Sequence, residues 1–194
     1  CGLTDQKHAS AAADAGARFG GLIFVEKSPR YVTKTQAKNI IKAMPKLEYV
    51  GVFVNKDRDV IIDLVKTLNL SAVQLHGSED DQYIEALITE LIDNGCDFCQ
   101  VWQASPVAQS VPLLNSKVSH HVLDGQSPGS GKTFDWQVLA LSEQNLSKSF
   151  LAGGLNNDNI DQALEQLTHV DLFGLDLNSG VEDSPGIKST EKLA

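Results

Sequence analysis

The stretch that decides the fold is His120–Trp136, HHVLDGQSPGSGKTFDW. A short apolar strand, Val122-Leu123, ends in one acid, Asp124. A loop rich in Gly, Ser and Pro follows, and a helix is expected to start near Phe134. A carboxyl group at the C-terminal end of a strand, ahead of such a loop, stands where parallel barrels keep catalytic groups. Asp is also common wherever a chain turns. The stretch alone therefore supports two readings of Asp124, turn former and catalyst.

On the N-terminal side, units of the same kind precede it. Thr4 or Asp5 caps an alanine-rich helix over Asp5–Ala15, and FGGLIFV (Phe19–Val25) is a buried strand. Thr33 caps a helix to about Met44, with Pro45 just beyond its end. YVGVFV (Tyr49–Val54) is a strand, and Asp57–Leu68 is a helix with Val60, Ile61, Leu64, Val65 and Leu68 on one face. AVQLH (Ala72–His76) is a strand; Ser78 caps a helix over Glu79–Asp93; Phe98–Gln103 is a strand. A weak helix is expected over Val107–Asn115, ahead of the strand Val118–Asp124. On the C-terminal side come a short helix, Phe134–Leu141, and a strand, Phe150–Ala152, ending in Gly153-Gly154. A helix from Asn156 to about Leu167, the strand Val170–Leu177 and one more helix start near Ser189 complete the chain.

Alternating strands and helices with short links give a parallel sheet with helical crossovers in one domain spanning residues 1–194. Seven strands fit a doubly wound open sheet. If Cys1-Gly2-Leu3-Thr4 is the end of a further strand, the count is eight, and the fold is a TIM (β/α)8 barrel.

The chain has 194 residues, 42% hydrophobic and 21% charged, with a formal charge of -9. That composition suits a compact core. The acidic balance argues against nucleic acid as a partner, since non-specific binding needs a basic surface. No apolar run approaches the ~20 residues that span a bilayer, and no signal peptide is visible. Three cysteines fit a reducing compartment, hence a cytoplasmic expectation. Cys96 and Cys99 form a CxxC, but ahead of a strand-like run rather than at a helix N-terminus, so redox or metal use is not expected.

In a barrel the strand ends share one mouth. They collect Cys1, the Lys27–Arg30 loop, Asn55, Gln74, His76, Asp124, Gly153-Gly154 and Asn178-Ser179-Gly180. A thiol and a carboxyl group across such a mouth make a usable base and acid. The two glycine turns suit a phosphate, because backbone N–H groups can point at it; plain turn chemistry is the other reading. Arg30 can clamp a carboxylate through its fork, or lie on the surface. Gln74 and His76 share a strand face and are expected in a satisfied polar layer inside the barrel, while His120 and His121 are expected to be structural. Gly129-Ser130-Gly131-Lys132-Thr133 looks like the end of a phosphate-binding P-loop, but the Gly required five residues before the Gly-Lys is Gln126.

The pieces CGLT, GLIFVEKSPRYV, YVGVFVN, AVQLHG, VLDG with GSGKTFDW, LAGGLNNDN and GLDLNSGVEDSPGIK occur in one order and spacing. Together they resemble the phosphoribosylanthranilate isomerases of tryptophan biosynthesis over nearly the whole chain. GGLIFV and VQLHG look like the enterobacterial type, often fused behind indole-glycerol-phosphate synthase, so a covalent fusion is an expectation. The resemblance implies a TIM barrel with its first strand and last helix cut short here. It implies an Amadori rearrangement of N-(5-phosphoribosyl)anthranilate, a phosphosugar, to 1-(2-carboxyphenylamino)-1-deoxyribulose 5-phosphate, with no metal and no organic cofactor. Asp124 would be the general acid and Cys1 the general base. Arg30 would hold the anthranilate carboxylate. Gly153, Gly154, Asn178, Ser179 and Gly180 would hold the phosphate, and the loop Gly129, Ser130, Gly131 and Lys132 would close over the substrate. Asn178 departs from the Ser more usual at that place. The rival readings are a non-catalytic phosphosugar-binding barrel and a nucleotide triphosphatase using the Gly-Ser-Gly-Lys loop.

Overall fold

The computed structural model describes residues 1–125 and 133–193. Its strands are β1 (Phe19–Ile23), β2 (Glu48–Phe53), β3 (Ala72–Leu75), β4 (Gln100–Val107), β5 (His120–Gly125), β6 (Ser149–Leu151) and β7 (Gly174–Leu175). All seven are parallel and lie side by side in chain order. An unbroken sequential order, with a helical crossover at every step except β4 to β5, is the barrel pattern, since a doubly wound sheet reverses direction midway. The crossovers include α1 (Gln6–Asp14), α2 (Lys34–Ala43), α3 (Arg58–Leu68) and α4 (Asp81–Asp93). The later ones are short: α5 (Gln137–Ala140) and α6 (Ile160–Gln166).

The strands read as continuous apolar runs because both faces are covered. One face meets the helices, through a cluster that includes Leu22, Phe53, Ile61, Leu75 and Leu87. The other turns inward, where Val50, Ala72, Trp102, Val122, Phe150 and Ala152 pack together with Phe19. Phe19 and Trp102 meet edge to face at 5.0 Å, the geometry that aromatic quadrupoles favour.

Edge strands β1 and β7 are not paired with each other. Residues 1–3 lie between them: the Cys1 nitrogen donates to Leu177 O (2.7 Å) and the Leu3 N–H to Gly21 O (2.9 Å). The opening tetrapeptide thus occupies the place of a strand end, as the eight-strand count requires. Beside this stub, along the same seam, is a cavity of about 580 Å³, walled mainly by apolar groups such as Leu3, Phe19, Trp102, Phe150 and Phe173.

Several local expectations are corrected. Asp80, not Ser78, caps α4, accepting from the Tyr83 N–H; Ser78 instead bonds Asn55. On α3, Val60 is exposed and Ile62 is buried in its place. Residues 108–115 contain no helix; Pro112 interrupts them, and Gln144 ties the segment down at Val111 O, Pro112 O and the Leu114 N–H. Phe98 lies outside β4 and is half exposed, because the strand begins at Gln100 and runs on to Val107. An antiparallel hairpin, β8 (Glu182–Ser184) with β9 (Ile187–Lys188), follows a 3-10 turn at Ser179–Val181; α7 (Thr190–Leu193) comes last.

Candidate active site

The C-terminal ends of β1, β3, β5, β6 and β7 converge with Cys1 on a cavity of about 210 Å³. Its wall carries Cys1, Arg30, Gln74, His76, Asp124, Gly153, Gly154, Asp176, Asn178 and Ser179. Parallel topology alone brings these residues together from across the chain, because every strand ends on the same rim.

Asp124 is the last residue but one of β5 and is buried. Its Oδ1 accepts the Gly125 N–H at 2.7 Å, and its Oδ2 stands 3.8 Å from His76 Nε2. Burial pushes its carboxyl above the ordinary carboxylate range. The Asp176 charge acts in the same direction; His76 and the Gly125 N–H offset part of the rise. Gly153, in the left-handed region at φ +84°, lies against this carboxyl: a Cβ there would stand 2.7 Å from Oδ1. Only a residue without a side chain allows the β6 turn to approach so closely.

Arg30 is buried, not on the surface. Its Nε and Nη2 donate to the two oxygens of Glu182 at 2.9 and 2.7 Å, a bidentate fork. The Arg30 backbone is held by the Ser28 hydroxyl, which accepts its N–H at 3.1 Å. Among the described residues, the N–H groups of Gly153, Gly154 and Ser179 make no backbone hydrogen bond. Gly180 is not on the wall; a Cβ on it would fall 1.9 Å from Leu155 O, so its part is to let the two glycine turns close up. Asn55 is also off the wall, engaged by Ser78. The loop Gly129, Ser130, Gly131 and Lys132 lies outside the described residues.

His76 and Gln74 do share a face, and Gln74 Nε2 lies 3.2 Å from His76 Nδ1. The layer they form is not closed, however. Among the described residues His76 Nε2 has no hydrogen-bond partner, and it lies 3.8 Å from Asp124 Oδ2, so His76 belongs to the site. Asp176, Glu182 and Lys188 were not singled out in the sequence. Asp176 could have been, since it shares the period-2 face of Asn178 just as Gln74 shares that of His76. Glu182 and Lys188 lie in strands of three and two residues, too short for any periodicity to mark them. Of the cysteines, Cys96 and Cys99 are buried and unpaired, and burial pushes the Cys99 thiol up to about 12. The described residues contain no group of three or more His, Cys, Asp or Glu placed to hold a metal.

The family profile described as "N-(5'phosphoribosyl)anthranilate (PRA) isomerase" matches residues 1–194. The chain belongs to the phosphoribosylanthranilate isomerase family. Phosphoribosyl anthranilate isomerase from Thermus thermophilus superposes with a TM-score of 0.81 at 31% identity, covering all of this chain and 92% of that one. A further isomerase of the family, solved in complex with reduced 1-(o-carboxyphenylamino)-1-deoxyribulose 5-phosphate, superposes at TM-score 0.77 and 27% identity, with the same two coverages. These neighbours confirm the TIM-barrel class. "Tryptophan biosynthesis protein TrpCF" of Yersinia pestis is 44% identical over 195 residues, covering all of this chain but 39% of that protein. The chain thus spans about two fifths of the length of the curated relatives it matches.

Proposed function

We propose that the chain is a phosphoribosylanthranilate isomerase acting in tryptophan biosynthesis. The observation that carries the reading is that Cys1, the buried Asp124, the anchored Arg30 and the Gly153-Gly154 and Asn178-Ser179 turns line one and the same cavity. The solved family member that holds a reduced product analogue, which carries both a carboxylate and a phosphate, supports the same ligand class here.

In this reading Arg30 receives the anthranilate carboxylate, and the N–H groups of the Gly153-Gly154 and Asn178-Ser179 turns receive the phosphate. With both ends held, the ribose lies between Cys1 and Asp124. Burial favours the protonated form of Asp124, the state a general acid needs. Asp124 gives its proton to the furanose ring oxygen, the C1–O bond breaks, and a Schiff base forms between C1 and the anthranilate nitrogen. The Cys1 thiolate then takes the proton from C2, leaving an enolamine that tautomerises to the ketone. The Gly129–Lys132 loop closes over the substrate and excludes water.

The length of the relatives supports a second part of the proposal: this domain is one half of a bifunctional protein that also carries indole-glycerol-phosphate synthase. We place the reaction in the cytoplasm, where unpaired thiols persist. No described helix is long and apolar enough to cross a membrane.

The test is the fluorescence of N-(5-phosphoribosyl)anthranilate, which the isomerase consumes. Loss of the signal on adding the protein is the expected result. A protein that binds the substrate without consuming it would be a phosphosugar-binding barrel, and the proposal would fail.

A further inference from the structure

The hairpin of β8 and β9 pairs Glu182 with Lys188 across its two strands, which sets their side chains on one face. Both side chains are almost wholly buried, 3% and 2% exposed. Glu182 Oε1 accepts from Lys188 Nζ (2.8 Å) and from Arg30 Nε (2.9 Å), while Oε2 accepts from Arg30 Nη2 (2.7 Å). Lys188 Nζ spends its two other donors on Asn178, at the backbone oxygen (2.8 Å) and at Oδ1 (2.9 Å). All three ammonium donors are thereby used, and both carboxylate oxygens are engaged.

One buried ion pair therefore touches two clamps. Through Glu182 it fixes the fork of Arg30, on the carboxylate side. Through Asn178 it fixes the turn on the phosphate side. Stability alone does not account for it, since a buried ion pair is often no better than packed apolar groups of the same volume. Those groups could not hold a guanidinium in one orientation while tying down an amide turn. Burial acts unequally on the two partners: at Glu182 the bonds and charges of Arg30 and Lys188 together outweigh it and hold the carboxyl below its ordinary value, whereas at Lys188 burial prevails over the Glu182 bond and lowers the ammonium pKa.

Resting on the isomerase reading above, we infer that the Glu182–Lys188 pair is a positioning unit that links Arg30 to the Asn178 turn, so that carboxylate recognition and phosphate recognition depend on one another. Neither residue touches the reacting atoms; both act through residues that touch the substrate. The linkage accounts for Lys188 reaching Asn178 rather than bonding Glu182 alone.

The test uses two fragment ligands, benzoate for the carboxylate side and inorganic phosphate for the other, each titrated by NMR. Lys188→Gln is expected to weaken both by about 5- to 30-fold, within the range of ordinary coupling between sites. KM for the full substrate rises with them while kcat is largely kept, a split that a merely loosened fold would not give. Weakening of phosphate alone, with benzoate unchanged, would overturn the inference. If Lys188→Gln does not fold, the volume-matched double variant Glu182→Gln with Lys188→Gln is the second measure, and the same double loss is expected. Collapse of both proteins would assign the pair to folding and overturn the inference. An unsubstituted protein that binds neither fragment would overturn it too. Failure of the isomerase reading shows separately, as an unsubstituted protein that binds both fragments yet consumes no substrate.

Discussion

Replacing Gly153 by Ala perturbs the site through one added carbon. Gly153 sits at φ +84°, a conformation that costs an L-residue about 1–2 kcal/mol. Gly16 has nearly the same φ, +85°, with nothing within 4 Å of an added Cβ. Backbone strain alone is therefore expected to lower Tm similarly in both Ala variants, by about 2–8 °C at roughly 2–4 °C per kcal/mol. Only Gly153→Ala adds a collision, with its Cβ 2.7 Å from Asp124 Oδ1, where ordinary contact begins at 3.4 Å. Oδ1 is also held by the Gly125 N–H, so the carboxyl and the turn must part by about 0.7 Å. A 1 Å misplacement near the chemistry can cost roughly 10²-fold, so kcat should fall by about 10- to 50-fold. Saturating-substrate rates from the fluorescence assay, together with thermal unfolding of both variants, give the comparison. Equal kcat in Gly153→Ala and Gly16→Ala would refute the claim that this turn sets the position of Asp124.

Arg30→Ala removes charge-assisted hydrogen bonds worth about 1.5–3 kcal/mol, so KM should rise by roughly 10- to 100-fold with kcat less affected; an unchanged KM would leave Arg30 only as the partner of Glu182. Asp124→Asn should cut turnover by about 10²- to 10⁴-fold. Its effect on stability has the opposite sign. The folded state holds the Asp124 proton more tightly than the unfolded chain, so this group's contribution is full below the ordinary carboxylate pKa and is lost as pH rises through the raised value. Thermal unfolding should accordingly show the Asn variant matching the parent in acid and exceeding it at neutral pH; a lower Tm at neutral pH would contradict the burial argument. Alkylation of the native protein at mildly alkaline pH, followed by mass spectrometry, should modify Cys1 and spare Cys99, whose thiol is buried and pushed up to about 12. Labelling of Cys99 at the same rate as Cys1 would contradict that burial.

The barrel was legible because its strands are apolar on both faces and its helices carry caps with definite chemistry. Thr33 forms the full capping box with Gln36, and Asp5 accepts the His8 N–H. Asp124 could be found at the end of β5 by the same logic. The lower half of the chain was harder to read. Val170–Leu177 looks like a full strand, yet only Gly174 and Leu175 pair, because the neighbouring β6 is itself only three residues long. Asn156–Leu167 shrinks to Ile160–Gln166 because Asn156 and Asn159 spend their side chains on Gly154 O, drawing the chain into a turn before the helix starts. His76 was placed in a closed layer because sequence gives its strand face and not the atoms opposite it. Glu182 was missed for the same reason: its partner Arg30 is about 150 residues away, and Lys188 gains its meaning only through its bond to Glu182.

The account depends most on Cys1 and Asp124 acting as one unit on one ligand, and kcat for Cys1→Ser, Asp124→Asn and the double variant tests that directly. Groups that work as a unit are strongly non-additive. Each single change should lower kcat by about two to four orders of magnitude, and the double should fall little further than the worse single. Near-normal turnover in either single variant, or losses that multiply in the double, would contradict it.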